Sequence, residues 1–117
     1  MPPIHVKKVS KLVPEKFTEG VSPKTDVRIT DVINKSHCAP INAGIIEIVK
    51  SEPCEFDYVH DCAVIYVTEG SFLLKDGDKK IELEAGDLIY VPQGNPNIQW
   101  SSPSRGRGFF VTYPNWR

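Results

Sequence analysis

The sequence is poor in several features that would narrow its function at once. Its formal net charge is only −1 over 117 residues, so bulk charge favours neither nucleic acid nor a membrane surface as a partner. It has no apolar run of membrane-spanning length, and its first residues lack the hydrophobic region of a secretion signal. It has three cysteines, an odd number, so we expect a cytoplasmic protein with free thiols.

What the sequence does contain is a succession of short apolar segments separated by turns. The segments alternate polar and apolar residues or are rich in β-branched and aromatic ones, and turns separate them about every eight to twelve residues. No long helical pattern is visible. The length suits one domain. We therefore predict a single all-β sandwich or small barrel of about eight or more short antiparallel strands. The predicted strands are residues 26–32, 43–49, 63–68, 71–75, 79–83, 88–91, 97–100 and 108–113.

The region before the first predicted strand has a weaker pattern. Residues 6–13 alternate only loosely, which fits either an edge strand or a short helix, and residues 15–25 have the glycine and proline of a connector. We divide the chain into an N-terminal arm, residues 1–25, and a β-barrel, residues 26–117.

The stretch from residue 86 to residue 97 has the most specific pattern of the chain. Gly86 opens a Gly-Asp turn that leads into an apolar run at residues 88–91. Pro92 ends the run because it has no amide proton for a sheet ladder, and Gly94 permits the positive φ of a tight bend. The pattern predicts a buried strand between two turns, with Asn97 at the opening of the interior space that the strand would line.

This spacing resembles the second signature of the cupin barrels, and Gly70 matches the closing glycine of the first. The resemblance implies a jelly-roll fold. Counted from these glycines, the four usual metal ligands of cupins fall on residues that make a poor donor set for a transition metal. These residues are Phe56, Tyr58, Ala63 and Asn97. We therefore expect a degenerate metal site, with no metal and no other cofactor.

Four further stretches resemble the cupin domain of ethanolamine-utilisation protein Q. They are residues 56–58, the bend at residues 67–70, residues 85–87 and the C-terminal residues 112–116. The resemblance implies a part in ethanolamine utilisation and acetate kinase activity, which is assigned to that family. It also implies a homodimer that exchanges N-terminal strands, and such an exchange would cover an exposed sheet edge.

Four residues are candidates for binding a small polar molecule in the barrel mouth: Tyr58, His60, Asn97 and Gln99. At strand period, His60 would share a face with Tyr58 and Cys62. His60 is then either a general base or lone metal contact, or an ordinary loop histidine. Asn97 either meets a ligand or water or caps its own turn, and Gln99 would face the same way as Asn97.

Three other sets of residues have a functional interpretation beside a structural one. Cys62 is a nucleophile if His60 activates it, and otherwise a small buried hydrophobe. Trp100 and Tyr90 form either an apolar ligand wall or part of the core. The loop at residues 105–107 either meets an anion through its arginines or is merely solvated.

The sequence therefore predicts a small cupin that binds a small polar metabolite without metal-based redox chemistry. One alternative is an atypical cupin enzyme, either acetate kinase-like or metal-dependent through His60. Another is a structural module that serves only as an assembly surface.

Overall fold

The computed structural model describes residues 3–117 of the chain. This part contains eight β-strands and one 3₁₀ helix, Lys35–His37, and none of its helices is long and apolar enough to cross a membrane. The strands are β1 (Val27–Ile33), β2 (Asn42–Val49), β3 (Cys54–Tyr58), β4 (Cys62–Asp76), β5 (Lys79–Glu84), β6 (Leu88–Val91), β7 (Asn95–Ser101) and β8 (Arg105–Tyr113).

Strand β4 belongs to both sheets of the fold. Its first part pairs with β8 and β6, and with β1 and β2 they form a sheet in the order β1-β2-β8-β4-β6. Its second part pairs with β5 and β7, and β7 pairs with β3. All of these pairs are antiparallel, so the predicted all-β fold of about eight short antiparallel strands is confirmed.

The change of sheet occurs at Gly70, in the middle of β4. Gly70 has a φ of +66°, and a Cβ atom there would overlap the carbonyl oxygen of Arg105 on β8. The pairing of β4 with β8 also shifts register between Val67 and Glu69. A bulge followed by a glycine in the left-handed region bends a strand without ending it. For this reason the two segments predicted on either side of Gly70 form one continuous strand.

The turns predicted around β6 are present. Gly86 and Gly94 both have positive φ, at +97° and +99°. An Asp87 carboxylate oxygen accepts a hydrogen bond from the backbone N–H of Glu84 at 2.8 Å, which fixes the entry turn. The backbone N–H of Gly94 donates to the carbonyl of Tyr58 at 2.8 Å and so ties the exit bend to β3.

Strand β6 itself is not the buried strand that the sequence predicts. Within residues 3–117 it pairs with β4 alone and therefore lies at an edge of its sheet. Leu88 and Tyr90 point outward and are 66% and 61% exposed, whereas Val91 is buried. Tyr90 is thus not a ligand wall beside Trp100, which is buried in the interior.

The core lies between the two sheets and consists of the inward-facing half of each strand. On β4 and β8 the buried residues alternate with exposed or half-buried ones, as expected for sheets with one wet face. Phe72 and Trp100 lie on neighbouring strands of the second sheet, β4 and β7, and pack edge to face in the core with ring centroids 5.5 Å apart.

The N-terminal arm packs against the barrel of its own chain. The backbone N–H of Phe17 donates to the carbonyl of Val27 at 2.8 Å, and an Arg107 guanidinium nitrogen donates to the carbonyl of Leu12 at 2.9 Å. Residues 6–13 form neither the edge strand nor the helix that their pattern allows. Strand exchange in a homodimer stays a prediction.

Candidate functional site

One end of the space between the sheets, where β4 begins and β8 ends, is not filled by side chains. A cavity of about 90 Å³ remains there and is partly open to solvent. A single water needs only roughly 10–15 Å³, so a small organic molecule fits. Most of the wall is aromatic or aliphatic and includes Phe56, Ala63, Ile65, Trp100, Phe110 and Trp116. Its polar groups come from Asp57, Tyr58, Asp61 and Thr112.

Strand pairing explains how two of these polar residues reach the cavity. Ala63 on β4 lies directly opposite Thr112 on β8, and both are buried. Asp61 comes two residues before Ala63, so it continues the inward row of Ala63 and Ile65 past the start of the strand. The small Ala63 side chain leaves room between Asp61 and Thr112.

Asp61 is a carboxylic acid held in the wall of an apolar cavity, and only 8% of its surface is exposed. Burial raises its pKa above the ordinary range of aspartate, and the nearby charge of Asp57 raises it further. His60 opposes this effect and lowers the pKa. The Asp61 carboxylate oxygens are not among the fully enclosed polar atoms of the described residues, so a molecule that enters the cavity can reach them.

Tyr58 is buried, and its hydroxyl oxygen accepts a hydrogen bond from the Trp100 indole nitrogen at 3.0 Å. Burial raises the pKa of Tyr58 well above its usual value, so the phenol stays protonated at any ordinary pH. Because the oxygen accepts in this bond, its own proton remains free to be donated into the cavity.

Thr112 is 6% exposed, and its hydroxyl oxygen has no hydrogen-bond partner within residues 3–117. A buried hydroxyl without a partner costs free energy, and such groups are rare in native proteins. Together, Asp61, Tyr58 and Thr112 give the cavity an acceptor, a free donor and an unpartnered hydroxyl on apolar walls.

The C-terminal segment closes one side of the cavity. The Asn115 amide nitrogen donates to the carbonyl of Ile41 at 2.9 Å and to the side-chain oxygen of Asn42 at 2.8 Å, which anchors the segment to the start of β2. The Trp116 indole nitrogen donates to an Asp31 carboxylate oxygen at 2.9 Å, and the ring lines the cavity. The resemblance of residues 112–116 noted above thus falls on residues that shape the site.

The rim of the cavity is aromatic and also holds a cation. The rings of Phe17, Phe56 and Trp116 form a cluster with centroids 5.8–6.3 Å apart. The guanidinium of Arg117 lies 4.5 Å from the centroid of the Trp116 ring and forms an ion pair with Asp31.

Of the four predicted binding residues, Tyr58 lines the cavity. His60 is exposed in the bend between β3 and β4 and is not part of the wall. The expectation that Tyr58, His60 and Cys62 share one strand face is wrong, because the chain leaves β3 at Tyr58 and enters β4 only at Cys62. The Cys62 thiol instead donates to the carbonyl of Tyr113 at 3.3 Å.

Asn97 and Gln99 also lie outside the cavity wall. On β7 the buried side chains are those of Ile98 and Trp100, so the alternating residues between them turn outward. The expected placement of Asn97 and Gln99 in the barrel mouth is therefore wrong, since it takes the opposite face of the strand. A binding role for His60, Asn97 or Gln99 stays a prediction.

Three of the positions that resemble the cupin metal ligands do meet in the cavity, namely Phe56, Tyr58 and Ala63. The fourth, Asn97, is exposed and has a φ of +59°. In the part of the chain that the structure describes, no group of three or more His, Cys, Asp or Glu side chains is placed to hold a metal ion.

The arginines of residues 105–107 do not form a solvated loop or a free anion site. They begin β8 and pair with the buried Glu47 on β2, with Arg105 at 2.6 Å and Arg107 at 3.2 Å from its two carboxylate oxygens. Arg107 is only 13% exposed, so its pair with Glu47 is largely buried, whereas the Arg105 side chain is 62% exposed. The single carboxylate of Glu47 balances one of the two positive charges.

A protein-family model described as ethanolamine utilisation protein EutQ matches residues 3–117. A curated relative from Clostridioides difficile (strain 630), named acetate kinase EutQ, is 28% identical over 94 residues, which are 80% of this chain. The chain spans 57% of the length of that relative.

Solved structures of similar proteins have the same fold as this chain. The EutQ protein of Clostridium difficile is 25% identical with a TM-score of 0.73, over 81% of this chain and 67% of that one. A putative ethanolamine utilization protein Q from Salmonella typhimurium LT2 is 22% identical with a TM-score of 0.79, over 93% of this chain and 85% of that one. Cupin domains of other proteins match at lower identity and show the fold alone.

Proposed function

The chain belongs to the ethanolamine utilisation protein EutQ family, and from that premise we propose that it is a small-molecule-binding cupin. The ligand occupies the cavity between Tyr58, Asp61 and Thr112, and binding needs no metal. The single observation that carries this proposal is an open cavity whose wall contains a buried aspartate, Asp61, and a buried hydroxyl, that of Thr112, without a partner in the described residues.

The free-energy cost of burying polar groups supports this proposal over a purely structural role. A barrel that served only as an assembly surface gains nothing from a buried carboxylate, because an apolar residue at position 61 would cost less to bury. The Thr112 hydroxyl adds a second such cost. Binding sites commonly keep destabilising polar groups of this kind because a ligand satisfies them.

Filling the cavity tests the proposal. Ala63→Leu adds three carbon atoms to the wall between Asp61 and Thr112, whereas Val64→Leu adds one carbon atom on the outer face of the same strand and controls for the new leucine. Thermal shift and tryptophan fluorescence are recorded with a panel of small amines, carboxylates and phosphates. We expect at least one compound to stabilise the wild type and Val64→Leu but not Ala63→Leu. Equal responses in all three proteins, or none in any, would reject a ligand in this cavity.

Acetate kinase activity is a second candidate, favoured by the name of the curated relative. Acetyl phosphate formed from acetate and ATP is the direct assay. We rank it second because Asp57 and Asp61 at the cavity would repel phosphoryl groups, and because the arginine of the 105–107 stretch that is buried, Arg107, is held by Glu47. If acetate kinase turnover survives Asp61→Asn but is lost on mutation of another site, the activity resides elsewhere on the chain and not in this cavity.

A homodimer and a cytoplasmic location remain proposals that rest on the sequence. Light scattering tests the first: we expect a mass of twice the 13.1 kDa of one chain. A mass equal to one chain would reject it. Localisation of a tagged protein in its own cell tests the second.

A further inference from the structure

We propose that the cavity takes a short organic ammonium compound that carries a hydroxyl group. The ammonium lies against Asp61, the carbon chain lies between the apolar walls, and the hydroxyl reaches Tyr58 and Thr112. This inference rests on the proposed function and names the class of its ligand.

The charges around the cavity favour a cation. Asp61 is buried in the wall, and Asp57, which is exposed and accepts from the backbone N–H of Val59 at 2.8 Å, lies close enough for its charge to act on Asp61. Like charges in such a place repel, and a cation that enters relieves both the repulsion and the lost hydration. The positive groups nearby do not fill this role: His60 is exposed and lies outside the wall, and Arg117 is paired with Asp31.

The aromatic walls favour the same class of ligand. Faces of tryptophan, tyrosine and phenylalanine attract cations through the quadrupole of the ring. Trp116 already has the Arg117 guanidinium 4.5 Å from its ring centroid, and the cavity is lined by this ring together with Phe56 and Trp100. A carboxylate in an aromatic enclosure is a combination that suits an organic ammonium and disfavours an organic anion.

The remaining polar groups define the other end of the ligand. Thr112 is more than nine-tenths buried and lines the cavity, and its hydroxyl has no partner within the described residues. The Tyr58 hydroxyl has a proton that its bond with Trp100 leaves free. A ligand hydroxyl both accepts and donates, so it satisfies these two groups, whereas a plain alkylamine satisfies neither.

The test uses three probes of similar size and different charge. Ethanolamine is the cationic amino alcohol, ethylene glycol its neutral counterpart and acetate an anion. Trp100 and Trp116 both line the cavity, so their indole N–H signals in a ¹⁵N NMR spectrum report occupancy directly. Asp61→Asn removes the carboxylate, and Asp78→Asn makes the same change at an exposed turn and serves as the matched control.

We expect ethanolamine to shift the indole signals of the wild type and of Asp78→Asn in a saturable way, with at least tenfold weaker binding by Asp61→Asn. Ethylene glycol and acetate bind at least tenfold more weakly than ethanolamine. If acetate binds best, the cavity is a ligand site of another class and this inference alone is wrong. If no probe and no member of the wider panel shifts either signal, the proposed function fails as well.

A second variant isolates the hydroxyl end of the ligand. Thr112→Val keeps the shape of the side chain and removes a hydroxyl that has no partner in the described structure, so the fold should tolerate it. We expect Thr112→Val to weaken ethanolamine several-fold and to leave ethylamine unchanged. An equal loss for both amines would contradict the placement of the hydroxyl at Thr112.

Discussion

The hydrogen bond between Tyr58 and Trp100 gives the sharpest quantitative prediction. The Trp100 indole is 1% exposed, and the Tyr58 oxygen is its acceptor at 3.0 Å. Tyr58→Phe keeps the ring and the packing but removes that acceptor. The indole N–H then remains buried without its partner.

The size of the effect follows from the cost of a buried donor. An unsatisfied buried group costs about 1–3 kcal/mol. At about 2.1 cal/mol/K per residue, the unfolding entropy of 117 residues is about 0.25 kcal/mol/K. The melting temperature of Tyr58→Phe should therefore fall by about 4–12 °C. Because the cavity lies beside the bond, a water that enters it to accept from Trp100 would bring the loss to the lower end of this range.

The assay is thermal unfolding followed by circular dichroism, with Tyr90→Phe as the control. Tyr90 lies on the outer face of β6 and is 61% exposed, so loss of its hydroxyl should change the melting temperature by less than about 1 °C, as is usual for surface changes. Equal melting temperatures for wild type and Tyr58→Phe would refute the assignment of this bond as a buried structural contact.

Three further predictions concern charge and reactivity. Asp61 has a raised pKa, so the folded state holds its proton more tightly than the unfolded state, and wild-type stability should fall as pH rises from the ordinary carboxyl range through that raised pKa. Urea unfolding of Asp61→Asn should lack this fall, and a pH profile identical to that of the wild type would contradict the prediction. Glu47→Ala leaves the nearly buried Arg107 without its carboxylate and should cost about 3 kcal/mol in urea unfolding, whereas a cost below about 1 kcal/mol would mean that the pair is solvated. Burial raises the pKa of Cys54 to about 12, so a thiol reagent followed by mass spectrometry should modify the exposed Cys38 first; faster modification of Cys54 would contradict its burial.

The fold was predictable because its signals are local. The alternation along residues 26–32 corresponds to a strand in the structure. The turns predicted from Gly86, Pro92 and Gly94 are also present. The errors arise where a local signal has two readings. The sequence predicts separate strands at residues 63–68 and 71–75, although a positive φ at Gly70 beside a bulge only bends one strand. Strand β3 is missing from the predicted strands, although residues 54–58 alternate between apolar and polar.

The site was harder to predict because it depends on which face of each strand turns inward. His60 is a candidate because of its imidazole, yet it is one residue out of phase with the inward-facing residues Ala63 and Ile65. Asp61, two residues before the buried Ala63, has the correct phase, and this phase was the available signal. Thr112 lies opposite Ala63 only through the register of β4 with β8. Trp116 reaches the cavity through anchoring of the C-terminal segment, which no periodicity encodes.

The most direct test of the account is a crystal structure of the protein grown with ethanolamine. We expect density for one molecule between the two sheets, with its nitrogen within hydrogen-bond distance of the Asp61 carboxylate and its hydroxyl near Thr112. A cavity closed by protein side chains, or an ethanolamine molecule bound only elsewhere on the barrel, would contradict it.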